Sequence, residues 1–112
     1  MKLERELMRG AGPLAVLTLL SRGDMYGYEL VQALEQRSQG VLAMGQSTLY
    51  PMLYNLEAKG LVAGYEKKAE SGRARKYYRI TGNGKKKLKK DTAEWTALAE
   101  AMTALGVGRA WA

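Results

Sequence analysis

Residues 45–62 read GQSTLYPMLYNLEAKGLV and predict the helix on which the fold depends. Ser47 or Thr48 can cap its start, because a side-chain oxygen accepts a hydrogen bond from a free N–H of the first turn. Pro51 lies close to that turn, where the missing N–H of proline costs least. Gly60 follows the last turn and suits the left-handed conformation that ends many helices. The stretch therefore predicts a short helix with well-defined ends.

The two faces of this helix differ in chemistry. Leu49, Leu53 and Leu56 recur at helical spacing and predict a core face. The opposite face is polar and uncharged. Such a helix can enter a DNA major groove, where Asn bonds adenine edges and hydroxyls bond bases or phosphates. For Tyr50, packing against a neighbouring helix and contact with DNA are equally open interpretations. The predicted DNA-binding residues of this helix are Gln46, Ser47, Thr48, Tyr50, Tyr54 and Asn55.

Two helices are predicted before this one. The first begins near Leu3, is weakened by glycines at positions 10 and 12, and starts afresh at Pro13, because proline is favoured in a first helical turn. The second is predicted over residues 25–38, with apolar side chains at helical spacing. A polar turn at residues 21–24 separates the two helices.

A hairpin and a long helix are predicted after it. Residues 61–67 and 76–80 have strand character and enclose a polar loop, which predicts a β-hairpin. Thr81 can cap a final helix that runs to about Leu105. The predicted fold is mostly α with a small β-hairpin. Three helices followed by a hairpin form a winged helix-turn-helix.

Positive charge is concentrated in the hairpin and the start of the last helix. The net charge of the chain is +7, and residues 67–90 hold eleven Lys and Arg residues against one acid. Arg73, Arg75 and Lys76 cluster at the hairpin loop, where they can reach DNA phosphates or the minor groove. A solvated basic surface is the alternative interpretation. The position of the loop after a groove-sized helix favours double-stranded DNA as the partner.

The composition argues against several other functions. The chain contains neither Cys nor His, which removes thiol chemistry, His-based acid–base chemistry and the usual ligands of transition metals. No catalytic or nucleotide-binding motif occurs, so we expect no enzyme, no metal site and no cofactor. No stretch is apolar enough for a membrane span. The N-terminus carries acids and lacks the apolar region of a signal peptide, which predicts a cytoplasmic protein.

Three motifs, in order, resemble the PadR family of transcriptional regulators. They are DMYGYEL at residues 24–30, STLYPMLYNLEAKGLV at residues 47–62 and GRARKYYRIT at residues 72–81. The resemblance implies a repressor that binds an inverted-repeat operator as a dimer. Two departures are visible. Ala74 stands where the family often has Pro, which suggests a looser wing, and residues 82–83 stand where Pro or Glu is common, which predicts a frayed start of the last helix.

The last helix carries an apolar stripe that needs a partner. Its later steps alternate between three and four residues, as in a coiled-coil seam. Pairing with the N-terminal segment of a second chain would give a two-fold dimer, and packing within one chain is the alternative. The predicted dimer interface consists of Leu3, Leu7, Leu88, Trp95, Leu98, Met102 and Leu105. We therefore assign residues 1–80 to the N-terminal helix and winged-helix DNA-binding domain, and residues 81–112 to the dimerisation helix and tail.

Trp95 lies in the middle of this seam. The chain is similar to the short PadR subclass with one C-terminal helix, which includes multidrug-responsive repressors. That similarity implies a planar aromatic small-molecule effector held between two tryptophans, and a dry interface is the alternative. The predicted ligand-binding residues are Met8, Ala11, Trp95, Leu98 and Ala99. A winged-helix adaptor that binds an acidic protein, without ligand control, is the alternative function.

Overall fold

Four helices and a three-stranded sheet make up the computed structural model, which describes residues 1–108. The elements are α1 (Arg5–Leu20), β1 (Met25–Tyr26), α2 (Gly27–Arg37), α3 (Gln46–Ala58), β2 (Val62–Lys68), β3 (Ala74–Ile80) and α4 (Gly82–Leu105). Their order confirms the predicted fold class of helices, hairpin and C-terminal helix. The last four residues of the predicted tail lie outside the described residues. No helix within residues 1–108 is both long and apolar enough to cross a membrane.

The core joins the first three helices to the inner face of the hairpin. Leu17 of α1, Leu30 of α2 and Leu49 and Leu53 of α3 are almost completely buried. Tyr78 of β3 closes the core from the sheet side. Burial of all three leucines assigned to the inner face of α3 confirms the predicted orientation of that helix. The opposite face of α3 is left toward solvent.

Helix α1 is continuous, so the predicted restart at Pro13 is wrong. Proline in a helix interior removes one backbone hydrogen bond. Core packing on both sides of Pro13 holds the helix together, since Met8 lies before it and Val16 and Leu17 lie after it. Gly12 is buried, and a Cβ on it would lie 2.6 Å from the Met52 Cε atom. Gly12 therefore leaves room for the tip of the Met52 side chain against α1.

The predicted start of the second helix is also wrong by two residues. Met25 and Tyr26 form the short strand β1, which pairs antiparallel with Tyr78 and Tyr77 of β3. The sheet therefore has three strands in the order β1-β3-β2. The pairing of β1 depends on residues far along the chain, which local periodicity does not reveal. Helix α2 begins at Gly27, directly after the strand.

The start of α4 is capped and packed, so the predicted fraying is not observed. The Thr81 hydroxyl accepts a hydrogen bond from the Gly84 N–H at 3.0 Å, which confirms the predicted N-cap. The same hydroxyl donates to the Gly60 carbonyl at 2.6 Å. Gly84 is buried, and a Cβ there would collide with the Leu61 carbonyl oxygen. The start of α4 is therefore joined to the end of α3 and the start of β2.

Candidate nucleic-acid interface

The N-terminal end of α3 is open to solvent. The helix begins at Gln46 with Gly45 as N-cap, and no side chain caps the first turn. The predicted cap by Ser47 or Thr48 is therefore wrong. The side chains of Gln46, Ser47 and Thr48 are instead exposed around the positive end of the helix dipole. Free N–H groups and hydroxyls at this end form a site that suits a phosphate.

The two tyrosines on the outer face of α3 differ in exposure. Tyr54 is 61% exposed, and Asn55 beside it is also exposed. Tyr50 is half-buried against the start of α2, where a Cβ on Gly27 would lie 2.5 Å from the Tyr50 hydroxyl. Of the two open interpretations for Tyr50, packing against a neighbouring helix is the one that the structure supports. Tyr54 and Asn55 are both presented outward by α3.

The hairpin forms a well-closed wing, defined as β2, β3 and the loop between them. The strands pair antiparallel from Val62 opposite Ile80 to Lys68 opposite Ala74. The Ala69 N–H donates to the Arg73 carbonyl at 2.9 Å, and the Gly72 N–H donates to the Ala69 carbonyl at 2.8 Å. The loop is closed by these bonds although Ala74 replaces the proline common in the family.

Side chains alternate between the two faces of β3. Tyr78 turns inward to the core, and Lys76 lies on the same side, toward α3. Arg75 lies on the other face, with its guanidinium carbon 4.4 Å from the ring centroid of Tyr26. The Tyr26 ring in turn packs edge-on against Tyr77, with centroids 5.4 Å apart. Cation–π contact therefore holds Arg75 on an aromatic surface.

A cleft of about 430 Å³ lies between α3, the start of α2 and β3. Its lining residues are Tyr26, Gly27, Tyr28, Tyr50, Tyr54, Arg73, Arg75, Lys76 and Tyr78. The fold thus brings two of the predicted α3 residues, Tyr50 and Tyr54, to one cleft with the predicted wing residues, whereas Gln46, Ser47, Thr48 and Asn55 do not line it. Tyr26 and Tyr28 were missed by sequence reasoning, although both belong to the family-like stretch at residues 24–30. Three cations beside tyrosines suit a polyanionic partner.

Lys76 is paired within the chain. Its ammonium lies 3.5 Å from the Glu57 Oε1 atom, and Glu57 Oε2 accepts a hydrogen bond from the Gly64 N–H at 3.1 Å. Desolvation lowers the pKa of Lys76, but its interactions with Tyr78, at the high pH at which that phenol ionises, and with the Glu57 carboxylate outweigh it, so the pKa is raised overall. Lys76 is therefore a cation at neutral pH. Sequence reasoning missed Glu57, because an acid near a helix end is typical of any solvated surface.

The predicted dimer residues fall into two groups. Leu3 and Leu88 pack against the core of their own chain. The remaining side chains, which are Leu7, Trp95, Leu98, Met102 and Leu105, are exposed. Trp95 is 52% exposed and Leu98 is 50% exposed, both high values for large apolar side chains. The seam of α4 therefore packs within the chain at Leu88 and is uncovered from Trp95 to Leu105.

The predicted ligand-binding residues are not gathered in one cavity of a single chain. Met8 is only 7% exposed and lines a hollow of about 470 Å³ together with Met44 and Met52. Trp95 and Leu98 do not line this hollow. Ala11 is half-buried in α1, and Ala99 is exposed on α4. Only the α4 members of this group share an open surface.

Comparison with known proteins agrees with the fold. The family described as Transcriptional regulator PadR-like family matches residues 16–90. The chain is 37% identical over 87 residues to Transcriptional regulator Rv3488 of Mycobacterium tuberculosis, and the match covers 78% of each protein. A PadR family regulator from Eggerthella lenta is 36% identical, with a TM-score of 0.76 over 93% of this chain and 88% of that one. A PadR-like regulator from Bacillus cereus is 27% identical, with a TM-score of 0.82 over 93% and 99%.

Proposed function

The chain belongs to the PadR-like family of transcriptional regulators, and on this basis we propose that it is a homodimeric repressor of an inverted-repeat DNA operator. Family membership accounts for regulation of transcription through DNA. The dimer, the type of operator and the repressor role are the specific parts of the proposal.

The exposed second half of α4 is the observation that carries the proposal. Trp95, Leu98, Met102 and Leu105 recur at seam spacing and are all exposed. Contiguous apolar surface of this kind marks an interaction site, and a helix seam can pair with its own copy about a two-fold axis. A second copy of the chain is therefore the partner that we propose for this surface.

Two such chains would present two copies of the DNA-binding surface. We propose that α3 reads base edges through Asn55 and Tyr54, with the exposed residues 46–48 near the phosphates. Arg73 and Arg75 of the wing would contact the DNA backbone or minor groove. A two-fold dimer presents its reading helices about 34 Å apart, which matches half-sites separated by one turn of DNA. An inverted repeat is the sequence that such a dimer would recognise.

Selection of duplexes from a random DNA library tests the DNA part of the proposal. We expect the wild-type protein to enrich a sequence with two inverted half-sites, and to bind it as two chains per duplex. Affinity should fall steeply as salt increases, because Lys and Arg contacts release counterions. Enrichment of no sequence, together with stable binding to an acidic protein, would support the adaptor alternative instead.

We further propose that a planar apolar compound binds beside Trp95 at the dimer seam. The exposed Trp95 ring, next to Leu98 and Ala99, supports this site, whereas burial of Met8 in its own core makes α1 a smaller contributor. Such a ligand would release DNA only if it binds more tightly to a dimer geometry that fits the operator poorly.

Fluorescence of Trp95 tests the ligand site. We expect a flat aromatic dye to quench the emission of a Trp111→Phe variant, and to lose its affinity when Trp95 is also replaced by Leu. Emission that stays unchanged across a broad panel of planar dyes would contradict this part of the proposal and leave the DNA part standing.

A further inference from the structure

We propose that Glu57 is a positioning residue that holds the wing against α3 in the geometry required for specific DNA binding. The inference rests on the DNA binding proposed above and concerns a side chain that does not itself touch DNA. We call the contact between Glu57, Gly64 and Lys76 the Glu57 clamp.

One carboxylate joins the last turn of α3 to both strands of the wing. Glu57 Oε2 accepts from the Gly64 N–H of β2 at 3.1 Å, and Glu57 Oε1 lies 3.5 Å from the Lys76 ammonium of β3. Strand β2 lies at the edge of the sheet, where outward N–H groups have no neighbouring strand to bond. The Glu57 carboxylate on α3 accepts the hydrogen bond of the Gly64 N–H, which a neighbouring strand would otherwise accept.

Gly64 makes room for the clamp. A Cβ at this position would collide with the Lys76 Cε atom and would lie 3.1 Å from Glu57 Oε2. Any side chain at position 64 would therefore occupy the space in which Lys76 and Glu57 meet. A glycine inside a strand weakens it, and a close approach of other groups is a common reason for one. Here the groups that approach are the two charged ends of the clamp.

The clamp also reaches the face of α3 that carries Tyr54 and Asn55, which we call the reading face. The Lys76 ammonium lies 5.8 Å from the ring centroid of Tyr54 and 5.3 Å from that of Tyr78. One cation thus contacts the exposed tyrosine of α3, the buried tyrosine of the core and the carboxylate of Glu57. Movement of Lys76 would therefore change the relative position of the wing and the reading face.

The negative charge of Glu57 argues that this residue positions the wing, because the charge itself does not attract DNA. Glu57 places a negative charge beside the cleft that collects the wing cations, where it repels phosphates. If charge alone mattered, removal of Glu57 would tighten binding to every DNA sequence. A rigid wing, in contrast, brings its cations to the DNA already aligned, which lowers the entropy cost of specific binding.

The two explanations predict opposite results for Glu57→Gln. This variant keeps an oxygen that can accept from Gly64 and loses the ion pair with Lys76. We expect it to bind the selected duplex about fivefold more weakly, as for loss of an exposed ion pair. Its affinity for a scrambled duplex should be unchanged or higher. Fluorescence anisotropy over a series of salt concentrations measures both affinities.

Glu70→Gln is the matched control. Glu70 is an exposed acid in the loop of the wing, away from Lys76 in the strand register, and its substitution changes the net charge by the same amount. We expect slightly tighter binding to both duplexes. If Glu57→Gln also tightens both, the effect is charge alone and the positioning role is wrong. Lys76→Met adds a second check, because its effect and that of Glu57→Gln should not be additive if the two residues act as a pair.

A measurement without DNA separates this inference from the proposed function. Loss of both contacts in Glu57→Ala should speed hydrogen exchange of the Gly64 amide about tenfold, while amides of α1 remain as in the wild type. Unchanged Gly64 exchange would overturn the clamp. Failure of the wild-type protein to enrich any DNA sequence would overturn the proposed function, and the Gly64 amide would still decide whether Glu57 holds the wing.

Discussion

Helix α3 and the second half of α4 are equally regular but differ in what covers them. Along α3, Leu49, Leu53 and Leu56 are buried in turn. From residue 92 to residue 105 of α4, every residue is exposed, including the large side chain of Trp95. The α3–wing region is therefore complete within one chain, whereas the apolar stripe of α4 is left uncovered by its own chain. Substitutions that affect only one region test this difference.

The largest effect is expected at the α4 seam. Leu98→Lys would place two charges in a two-fold interface and remove the burial of two leucines. We expect the dissociation constant of the dimer to rise by at least about a hundredfold. The free energy of unfolding of the dissociated chain should change little, because Leu98 is exposed there. Sedimentation equilibrium measures the dimer, and urea unfolding measures the chain.

Thr96→Lys is the matched control for this experiment. Thr96 is exposed on the opposite side of α4, so the same new charge lies away from the seam. We expect its dimer to match that of the wild type. Equal dissociation constants for Thr96→Lys and Leu98→Lys would show that the exposed stripe does not pair, and the contrast between the two regions would then need another explanation.

The second effect is expected in the core of α3. Leu53→Ala removes a completely buried side chain and should lower the free energy of unfolding by about 2–5 kcal/mol. Met102→Ala, measured at concentrations where the dimer has dissociated, should change it by less than about 0.5 kcal/mol. Urea unfolding of both variants tests whether burial in a single chain differs as described. Similar losses would place Met102 in the core of its own chain.

The same contrast explains how much could be predicted from sequence. Helix α3 was predictable because its leucine spacing and Gly60 are local signals, and the left-handed conformation of Gly60, with φ of +73°, confirms its predicted role at the helix end. The stripe around Trp95 was visible for the same reason. Local signals do not state what covers a face, so the dimer remains a proposal.

The features that were missed depend on contacts between distant residues. Strand β1 exists because Met25 and Tyr26 pair with β3. Helix α1 continues through Pro13 because its neighbours are buried on both sides. Glu57 gains its importance from Gly64 and Lys76, which meet it only in the folded chain. In each case tertiary packing overrides the structure that the local sequence favours.

A third effect separates two roles inside the α3–wing region. Asn55→Ala should lose about 1–3 kcal/mol of binding to the selected duplex and much less to a scrambled one, because the contact that we propose for Asn55 is with a base edge. Arg75→Ala should weaken binding to both duplexes alike and reduce the salt slope by about 1, because the contact that we propose for Arg75 is with phosphates. Titrations at several salt concentrations distinguish them. Equal losses on both duplexes for Asn55→Ala would remove it from the reading face.

The smallest effect is expected at Thr81, which connects the α3–wing region to α4. Thr81→Ala removes the N-cap of α4 and its bond to Gly60, and should lower the free energy of unfolding by about 1 kcal/mol. For a domain of this size, that loss lowers the melting temperature by several degrees, whereas Thr81→Ser keeps the hydroxyl and should melt close to the wild type. The dimer constant should not change, since the exposed stripe begins several turns later at Trp95. A Thr81→Ala protein that melts normally but dimerises poorly would show that the joint transmits strain to the seam, and the two regions would then not be independent.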